Sequence, residues 1–343
     1  MIPAVSLSTY QAARRRAAFV DRSDRGRIVV SGTERASYLQ GLLTNDTSLP
    51  PGRGCYAAYL TAQGRMIADL YVYELGDVML LMMDGGVKDA VMTKLDQFIF
   101  SEDVQLGDVS GTFAQVAVIG PGAADAAAAV LSSVSAAALT ALPEHGNLRV
   151  EWSGGAAIVT RIADTGEPGF DLYVERPQLE LLRSKLAAVD VPEMDDRTAE
   201  TLRIETGIPR FHRDMDEETI PLEAGIESRA ISFTKGCYVG QEVIIRVLHR
   251  GHGRVARKLV GVVVDGNEPP APGTQIAANG REIGEVTSST MSPALQRPIA
   301  LGYVHRDFVA PGTKVTIDDV PAEVTALPFV STASPQSPTP TAS

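Results

Sequence analysis

The chain has 343 residues, of which 44% are hydrophobic and 21% charged, so a sizeable core is available and global disorder is excluded. Its 31 basic and 42 acidic residues give a formal charge of −11, which argues against a general nucleic-acid coat or an anionic-membrane binder. Two cysteines, Cys55 and Cys237, exclude a disulfide framework, and no apolar run approaches the roughly 18 residues of a membrane span.

The first part of the chain is predicted to alternate strands and helices. Its arginine-rich start, with no acid before Asp21, has the composition of a transit peptide, but we interpret it as a helix that runs into the fold of a cytoplasmic protein. The patterns then predict a strand at 28–30, a helix over about 34–43, and strands at 57–61, 66–74 and 78–83. Apolar residues at positions 87, 91, 95 and 98 recur every three or four residues, which predicts an amphipathic helix.

The remaining elements divide into a second mixed segment and a β-rich segment. Residues 113–142 read as a strand, a Gly-Pro-Gly turn and an Ala-rich helix, followed by strands near 157–161 and 170–174. Pro177 opens a helix through 189, and Asp195 and Asp196 cap another that Gly207 and Pro209 end. From 254, short β-rich runs at 259–264, 283–288, 299–305 and 314–317 predict a small β-barrel. We therefore predict an α+β domain over 1–252, a barrel over 253–330 and a disordered tail over 331–343.

The segment 233–242, FTKGCYVGQE, which we call the cysteine loop, carries the most informative chemistry. Cys237 lies between glycines and two residues from Lys235, so weak steric shielding and a nearby positive charge favour an exposed thiolate. A turn whose glycines serve only the backbone geometry is the alternative, and the residues alone leave both open. Cys55 lacks an adjacent lysine, so we predict a structural role, although a Cys55–Cys237 redox pair remains open.

Several motifs in order along most of the chain resemble the YgfZ-type folate-binding proteins, relatives of the glycine-cleavage T-protein (aminomethyltransferase) and of the Iba-type mitochondrial iron–sulfur assembly factor. The motifs are IVVSGTERASYLQGLLTND, TAQGRMIADLYVY, DTGEPGFDLYV, LRIETGIPRFHRDMDEETIPLEAGI, KGCYVGQE and EIGEVTSSTMSP. The resemblance implies a three-lobed fold in which two mixed α+β lobes form a folate channel and a C-terminal antiparallel β-barrel packs against them. Such a fold allows a monomer, which we expect.

The resemblance also implies a set of tetrahydrofolate-binding residues. Glu167 would bind the pterin, whose donor edge suits a carboxylate, while Arg203 and Glu205 would line the same pocket or lock it together. Three further residues would border the pocket: Asn45, Asp46 and, in the cysteine loop, Gln241. As alternatives, Glu167 is a plain turn residue, and Arg203 and Glu205 form an ordinary helix ion pair.

Two departures from the family patterns distinguish the T-protein branch of the family from the YgfZ branch. T-proteins carry paired acids in the hairpin, one of which acts on the folate amine, and here the pair reads Ala68-Asp69. The lone Asp69 either keeps that role or is a half-exposed strand residue. Conversely, the loop with Cys237 resembles the YgfZ branch, because T-proteins lack that cysteine.

The sequence therefore favours a tetrahydrofolate-binding protein that supports iron–sulfur cluster assembly or repair. Cys237 and Lys235 would make transient contact with client enzymes or assembly proteins, since thiolate is a ligand that iron prefers. The alternative is a folate-dependent aminomethyl or one-carbon transferase that uses Asp69. A third interpretation is an interaction module whose pocket is vestigial.

The basic segment RVLHRGHGRVARK, which follows the cysteine loop, stands out in an acidic chain. It suits an anion, either the polyglutamate tail of a cellular folate or, more weakly, tRNA; the alternative is a solvated linker. Its two histidines, His249 and His252, lack helical spacing and a nearby acid, so we predict no metal site. We expect no membrane contact and no stable nucleic-acid binding.

Overall fold

The computed structural model describes residues 5–249 and 254–331 and consists of two five-stranded antiparallel sheets with helices and a closed barrel. The chain opens with α1 (Leu7–Arg15) and β1 (Ala18–Asp21), and β1 pairs with a strand of the second sheet. The predicted N-terminal helix is therefore present. The predicted boundary at 252/253 and nearly all of the predicted tail at 331–343 lie outside the described residues.

The first lobe is built on a sheet with the strand order β3-β4-β5-β2-β6. Its elements are β2 (Gly26–Ser31), α2 (Arg35–Leu42), β3 (Gly54–Leu60), β4 (Met66–Glu74), β5 (Met79–Met83), α3 (Lys88–Asp96) and β6 (Gln105–Asp108). Along β4, Ala68, Leu70 and Val72 are buried in the core of the lobe, so Asp69 and Tyr71 lie on the opposite face of the sheet.

One detail of the first lobe differs from the sequence prediction. The apolar repeat suggested that Phe98 belongs to the buried side of a helix, but α3 ends at Asp96 and Phe98 is 41% exposed. The backbone N–H of Phe98 bonds to the carbonyl of Leu95, so the chain turns out of the helix before Phe98 can follow its buried stripe.

The second lobe has the strand order β1-β7-β10-β9-β8. Its further elements are β7 (Phe113–Ile119), α4 (Ala123–Leu131), α5 (Ala136–Thr140), β8 (Asn147–Trp152), β9 (Gly155–Ile162), β10 (Gly169–Glu175), a 3₁₀ turn (Arg176–Gln178) and α6 (Leu179–Ala188). The single Ala-rich helix that we predicted is thus two helices, interrupted where Ser132 takes a left-handed conformation. Pro177 lies in the 3₁₀ turn that precedes α6 rather than in the helix itself.

Four helices and a six-stranded barrel complete the described chain. The helices are α7 (Asp196–Thr206), α8 (Pro221–Ala224), α9 (Glu227–Ala230) and α10 (Gln241–His249). The barrel closes in the order β11-β14-β13-β12-β15-β16, with strands β11 (Arg257–Val264), β12 (Gln275–Ala278), β13 (Arg281–Ser292), β14 (Arg297–His305), β15 (Lys314–Ile317) and β16 (Val320–Thr325), and a 3₁₀ turn (Arg306–Phe308). The predicted α+β fold with a C-terminal antiparallel barrel is confirmed.

Helix α7 joins the barrel to the rest of the molecule. Its start and end follow the sequence, because Asp195 accepts a hydrogen bond from the Thr198 N–H and Gly207 takes the left-handed conformation after the last turn. Three hydroxyls on one face of β13 contact α7: Ser288 accepts from Arg203, Thr290 bonds to Thr201, and Ser292 donates to Glu205. The helix is therefore held to the barrel by buried polar contacts.

Candidate functional site

A cavity of about 500 Å³ lies where the two lobes, α7 and the barrel meet. Its wall is formed by the connection between β1 and β2, the turn after β9, helix α7, the segment after α7 and strand β13. A second, deeper pocket of about 50 Å³ shares Arg25, Asp164, Arg203 and Arg210 with this cavity and adjoins it on the side of β4. The floor of that deeper pocket is lined by Asp69, Tyr71, Met82, Met83 and Phe211. The two spaces adjoin, so the cavity has a charged mouth and, at its floor, a small pocket with a largely aromatic and thioether lining.

Asp69 is the titratable group at the floor. The Tyr56 hydroxyl donates a hydrogen bond of 2.8 Å to Asp69 Oδ2. Burial raises the pKa of Asp69, while the Tyr56 hydrogen bond and the positive charge of Arg25 act in the opposite direction. A carboxyl with a raised pKa that borders a cavity is a candidate for proton exchange with a bound molecule.

The mouth of the cavity is rich in arginine. Arg210 pairs with Asp84 at 3.0 Å, and Arg203 pairs with Asp214 at 2.5 Å. Within the described ranges, three other arginines that line the cavity form no salt bridge: Arg25, Arg197 and Arg213. Guanidinium groups without a carboxylate partner suit a ligand that carries carboxylates.

Two of the predicted ligand-binding acids lie elsewhere. Arg14 of α1 forms a salt bridge of 2.7 Å with Glu167 and a second one with Glu205. Glu205 also accepts a hydrogen bond of 2.7 Å from the Tyr10 hydroxyl. Neither glutamate is among the residues that line the cavity, whereas Arg203 is, and Arg203 and Glu205 do not pair with each other. A role of Glu167 and Glu205 in ligand binding stays a prediction.

Lys235 and Cys237 point in different directions from their loop. The Lys235 ammonium donates to the carbonyls of Gln40, Leu43 and Asn45 at 2.7, 2.7 and 2.8 Å. These bonds use all three ammonium protons, so none remains for the thiol that we expected Lys235 to support. Burial lowers the pKa of Lys235 to about 8. Cys237 is exposed, as predicted, and Cys55 is buried.

The other predicted residues near this loop also differ in their exposure to solvent. Asn45 is half-buried, and its amide donates to the carbonyls of Tyr56 and Arg229 at 2.8 and 2.9 Å. Asp46 is exposed and accepts a hydrogen bond from Gln40. Gln241 begins α10. The structure thus brings Lys235 and Asn45 together, and it places Asp46 toward solvent.

The loop at 233–242 packs on the hairpin between β3 and β4. Gly240 has φ +85°, and a Cβ there would lie 2.5 Å from the carbonyl oxygen of Thr61. Gly64, in the hairpin, has φ +75°, and its Cβ would lie 2.9 Å from Cβ of Val243. Both positions need glycine for conformation and for close approach. The TAQGRMIADLYVY and KGCYVGQE motifs are therefore in direct contact.

Sequence reasoning missed several residues around Asp69. Tyr56 and Tyr71 have ring centroids 5.1 Å apart, and the Arg229 guanidinium lies 5.0 Å from the Tyr56 ring centroid. Of these, only Tyr71 was predicted, because the strand alternation places it on the same face as Asp69. Tyr56 lies on the neighbouring strand and Arg229 is far along the chain, so no local pattern signals them.

The described residues contain neither a membrane-spanning helix nor a metal-binding cluster. No helix in that part of the chain is long and apolar enough to cross a membrane. Within the same ranges, no group of three or more His, Cys, Asp or Glu side chains is placed to hold a metal ion.

Comparison with known proteins places similarity along nearly the whole chain. The family described as "GCVT N-terminal domain" matches residues 4–235, and "Glycine cleavage T-protein C-terminal barrel domain" matches residues 257–331. An aminomethyltransferase of Streptomyces coelicolor is 32% identical, covering 93% of this chain and 87% of the relative. One of Geobacillus kaustophilus is 33% identical, covering 93% and 89%. The fold matches glycine cleavage system aminomethyltransferase T from Bartonella henselae with a TM-score of 0.86 at 24% identity, over 95% and 90% of the two chains.

Proposed function

Because the chain belongs to the glycine cleavage T-protein family, we propose that it binds tetrahydrofolate in the cavity and transfers a one-carbon group of the aminomethyl type. The names of the relatives support this transferase interpretation better than the iron–sulfur interpretation that the sequence favoured. The observation that carries the proposal is the position of Asp69 at the floor of the cavity.

The lining of the cavity fits tetrahydrofolate. A volume of about 500 Å³ lies within the range of small-molecule sites, which is roughly 300–1,000 Å³. At the small floor pocket of about 50 Å³, Tyr71, Met82 and Phe211 would contact one edge of a flat ring system held in the cavity. At the mouth, Arg197 and Arg213 suit the carboxylates of the glutamate portion.

The residues at the floor would handle the proton of the reaction. Tetrahydrofolate supplies the amine that takes up or releases the one-carbon group. Tyr56 holds Oδ2 of Asp69, which leaves Oδ1 to accept or donate a proton at that amine. Arg25 borders the same pocket, and its charge stabilises the ionised carboxylate between proton transfers.

Replacing Asp69 tests this proposal. We expect Asp69→Asn to lower the rate of folate-dependent transfer from an aminomethylated carrier by about 10²- to 10⁴-fold, because a general acid–base group is lost. The dissociation constant for tetrahydrofolate, measured by calorimetry, should change by less than about fivefold (about 1 kcal/mol). The control is Asp89→Asn on α3, where the carboxylate is exposed, and it should keep full activity. An Asp69→Asn protein with near wild-type turnover, or a wild type that does not bind tetrahydrofolate, would contradict the proposal.

A second candidate function is folate-dependent support of iron–sulfur enzymes, and the exposed Cys237 favours it. A thiolate is a soft ligand for iron, and one cysteine suits a transient or shared contact rather than a resident cluster. The two candidates predict opposite results in a deletion strain that carries Cys237→Ser or Asp69→Asn. If Cys237→Ser alone fails to restore aconitase activity, the second candidate holds. If Asp69→Asn alone fails to restore growth on glycine, the first one does.

A further inference from the structure

A continuous set of contacts joins the loop at 233–242 to the carboxylate at the cavity floor. We propose that Lys235 is a positioning residue for Asp69, which it orients through Asn45 and Tyr56. The proposal rests on the function proposed above, because it assigns Lys235 a part in placing the proton-handling group of that site. The cysteine loop then has two sides, with Lys235 directed inward and Cys237 outward.

The first contact fixes the end of α2. The helix ends at Leu42, and the Lys235 ammonium binds the carbonyl of Gln40 in its last turn and those of Leu43 and Asn45 just beyond it. A cation at a helix C-terminus is favoured by the helix dipole and satisfies carbonyls that have no partner within the helix. Without Lys235, this turn would lose the side chain that fixes three of its carbonyls.

The second contact passes from this turn to strand β3 and helix α9. Asn45 donates to the carbonyls of Tyr56 and Arg229, so its position sets the spacing between the strand and the helix. Thr44 reinforces the junction, because its hydroxyl accepts from the Ala58 N–H at 2.8 Å and donates to the Ala230 carbonyl at 2.6 Å. A displacement of the turn at 43–45 therefore moves both elements.

The third contact reaches the carboxylate. The Arg229 guanidinium lies 5.0 Å from the centroid of the Tyr56 ring, and the Tyr56 hydroxyl donates to Asp69 Oδ2 at 2.8 Å. The ring of Tyr56 is thus held on one side by α9 and at its backbone by Asn45. Loosening either support weakens the hydrogen bond that favours ionised Asp69, so the pKa of Asp69 should rise.

Several other titratable groups surround Asp69 and set the background for its titration. They come from every element around the deeper pocket: Arg25 before β2, Tyr56 of β3, Tyr71 of β4, Asp84 after β5, Asp164 after β9, Arg203 of α7, Arg210 after α7 and Arg229 of α9. Lys235 is not among the largest influences on the Asp69 carboxyl, which include burial, Tyr56, Arg25 and Arg229. The proposal therefore assigns the effect of Lys235 on Asp69 to the contacts described above, and the Tyr56→Phe background below separates it from a direct effect of the lysine charge.

The test follows the Asp69 carboxyl by ¹³C NMR titration of the full free chain, with Asp69→Asn to assign the signal. We expect Lys235→Met to raise the pKa of Asp69 and Lys235→Arg, which keeps the cation, to raise it less. The matched control is Lys258→Met, where an exposed lysine of the barrel is lost, and it should leave the titration unchanged. In the Tyr56→Phe background, Lys235→Met should have no further effect, because the connecting hydrogen bond is already absent.

A folded Lys235→Met protein with an unchanged Asp69 titration would overturn the proposal, and so would an equal shift in the Tyr56→Phe background. If Lys235→Met does not fold, Asn45→Ala takes its place. It changes no charge, should also raise the pKa of Asp69, and an unchanged titration there would overturn the proposal equally. Because the titration needs no transfer assay, a shift in a chain without transferase activity would reject the proposed function and leave Lys235 as a positioning residue.

Discussion

At the scale of single residues, two cysteines with similar neighbours have opposite environments. Each follows a glycine and precedes a tyrosine, yet Cys55 is buried at the start of β3 and Cys237 is exposed. Burial raises the pKa of the Cys55 thiol to about 12, although Lys235 acts to lower it. Lys235 therefore influences the buried cysteine of β3, a relation that the sequence spacing to Cys237 did not indicate.

This difference predicts how the thiols react. At pH 8 a thiol-specific reagent should modify Cys237 rapidly and Cys55 only after unfolding, because the reactive thiolate is scarce when the pKa is about 12. The measurement is the number of modified thiols per chain. We expect one without urea and two in urea, where the protein is unfolded. Cys237→Ser should remove the fast phase. Two rapidly modified thiols in the native protein would contradict the burial of Cys55.

At the scale of elements, the contact between the cysteine loop and the β3–β4 hairpin depends on glycine. Gly240 and Gly64 approach each other's segments too closely for a side chain, so two motifs far apart in sequence share one packing requirement. The contact also fixes where the cysteine loop sits relative to strand β4, which carries Asp69.

We therefore expect Gly240→Ala to destabilise the protein more than an alanine at a left-handed glycine with free space. Gly225, with φ +72° and no atom within 4 Å of its would-be Cβ, is the matched control. Gly225→Ala should cost about 1–2 kcal/mol from conformation alone, and Gly240→Ala at least about 1 kcal/mol more from the clash with Thr61. Urea unfolding midpoints measure both, and equal losses would show that the loop can shift without penalty.

At the scale of the whole molecule, one buried ionic cluster joins three parts of the fold. Arg14 of α1 binds Glu167 from the turn between β9 and β10 and Glu205 of α7, and Ser292 of the barrel donates to Glu205. The Glu205 side chain is fully buried, and its charge is compensated by Arg14 and by hydrogen bonds from Tyr10, Ser292 and the Ala294 N–H.

Glu205→Gln should therefore lower the free energy of unfolding by about 2–3 kcal/mol, since it breaks a buried ion pair while Arg14 keeps Glu167. The matched control is Asp190→Asn, which breaks the exposed Arg16–Asp190 pair and should cost less than about 1 kcal/mol. Calorimetric unfolding of both variants gives the comparison. If Glu205→Gln is as stable as the control, the cluster does not hold the three parts together.

Local patterns in the sequence predicted most elements but few of the contacts between them. Period-two alternation placed Asp69 and Tyr71 together on β4, and the Asp195 and Gly207 signals predicted both ends of α7. The Lys235 contacts with the end of α2 and the Arg229 contact with Tyr56 bridge residues that are far apart in the chain. Such tertiary contacts leave no periodic signal, which is why the contacts of Lys235 with the end of α2 were not predicted.

The contacts of helix α7 also limit where this protein can be divided into exchangeable domains. One side of the helix places Arg203 at the cavity, while Thr201 and Glu205 bind hydroxyls of β13. The barrel is therefore not an independent module that can be exchanged at the start of β11, because α7 is bound to its strand β13. A chimaera that receives a foreign barrel would need matching hydroxyls at positions 288, 290 and 292, or the graft would disturb the cavity wall at the same time.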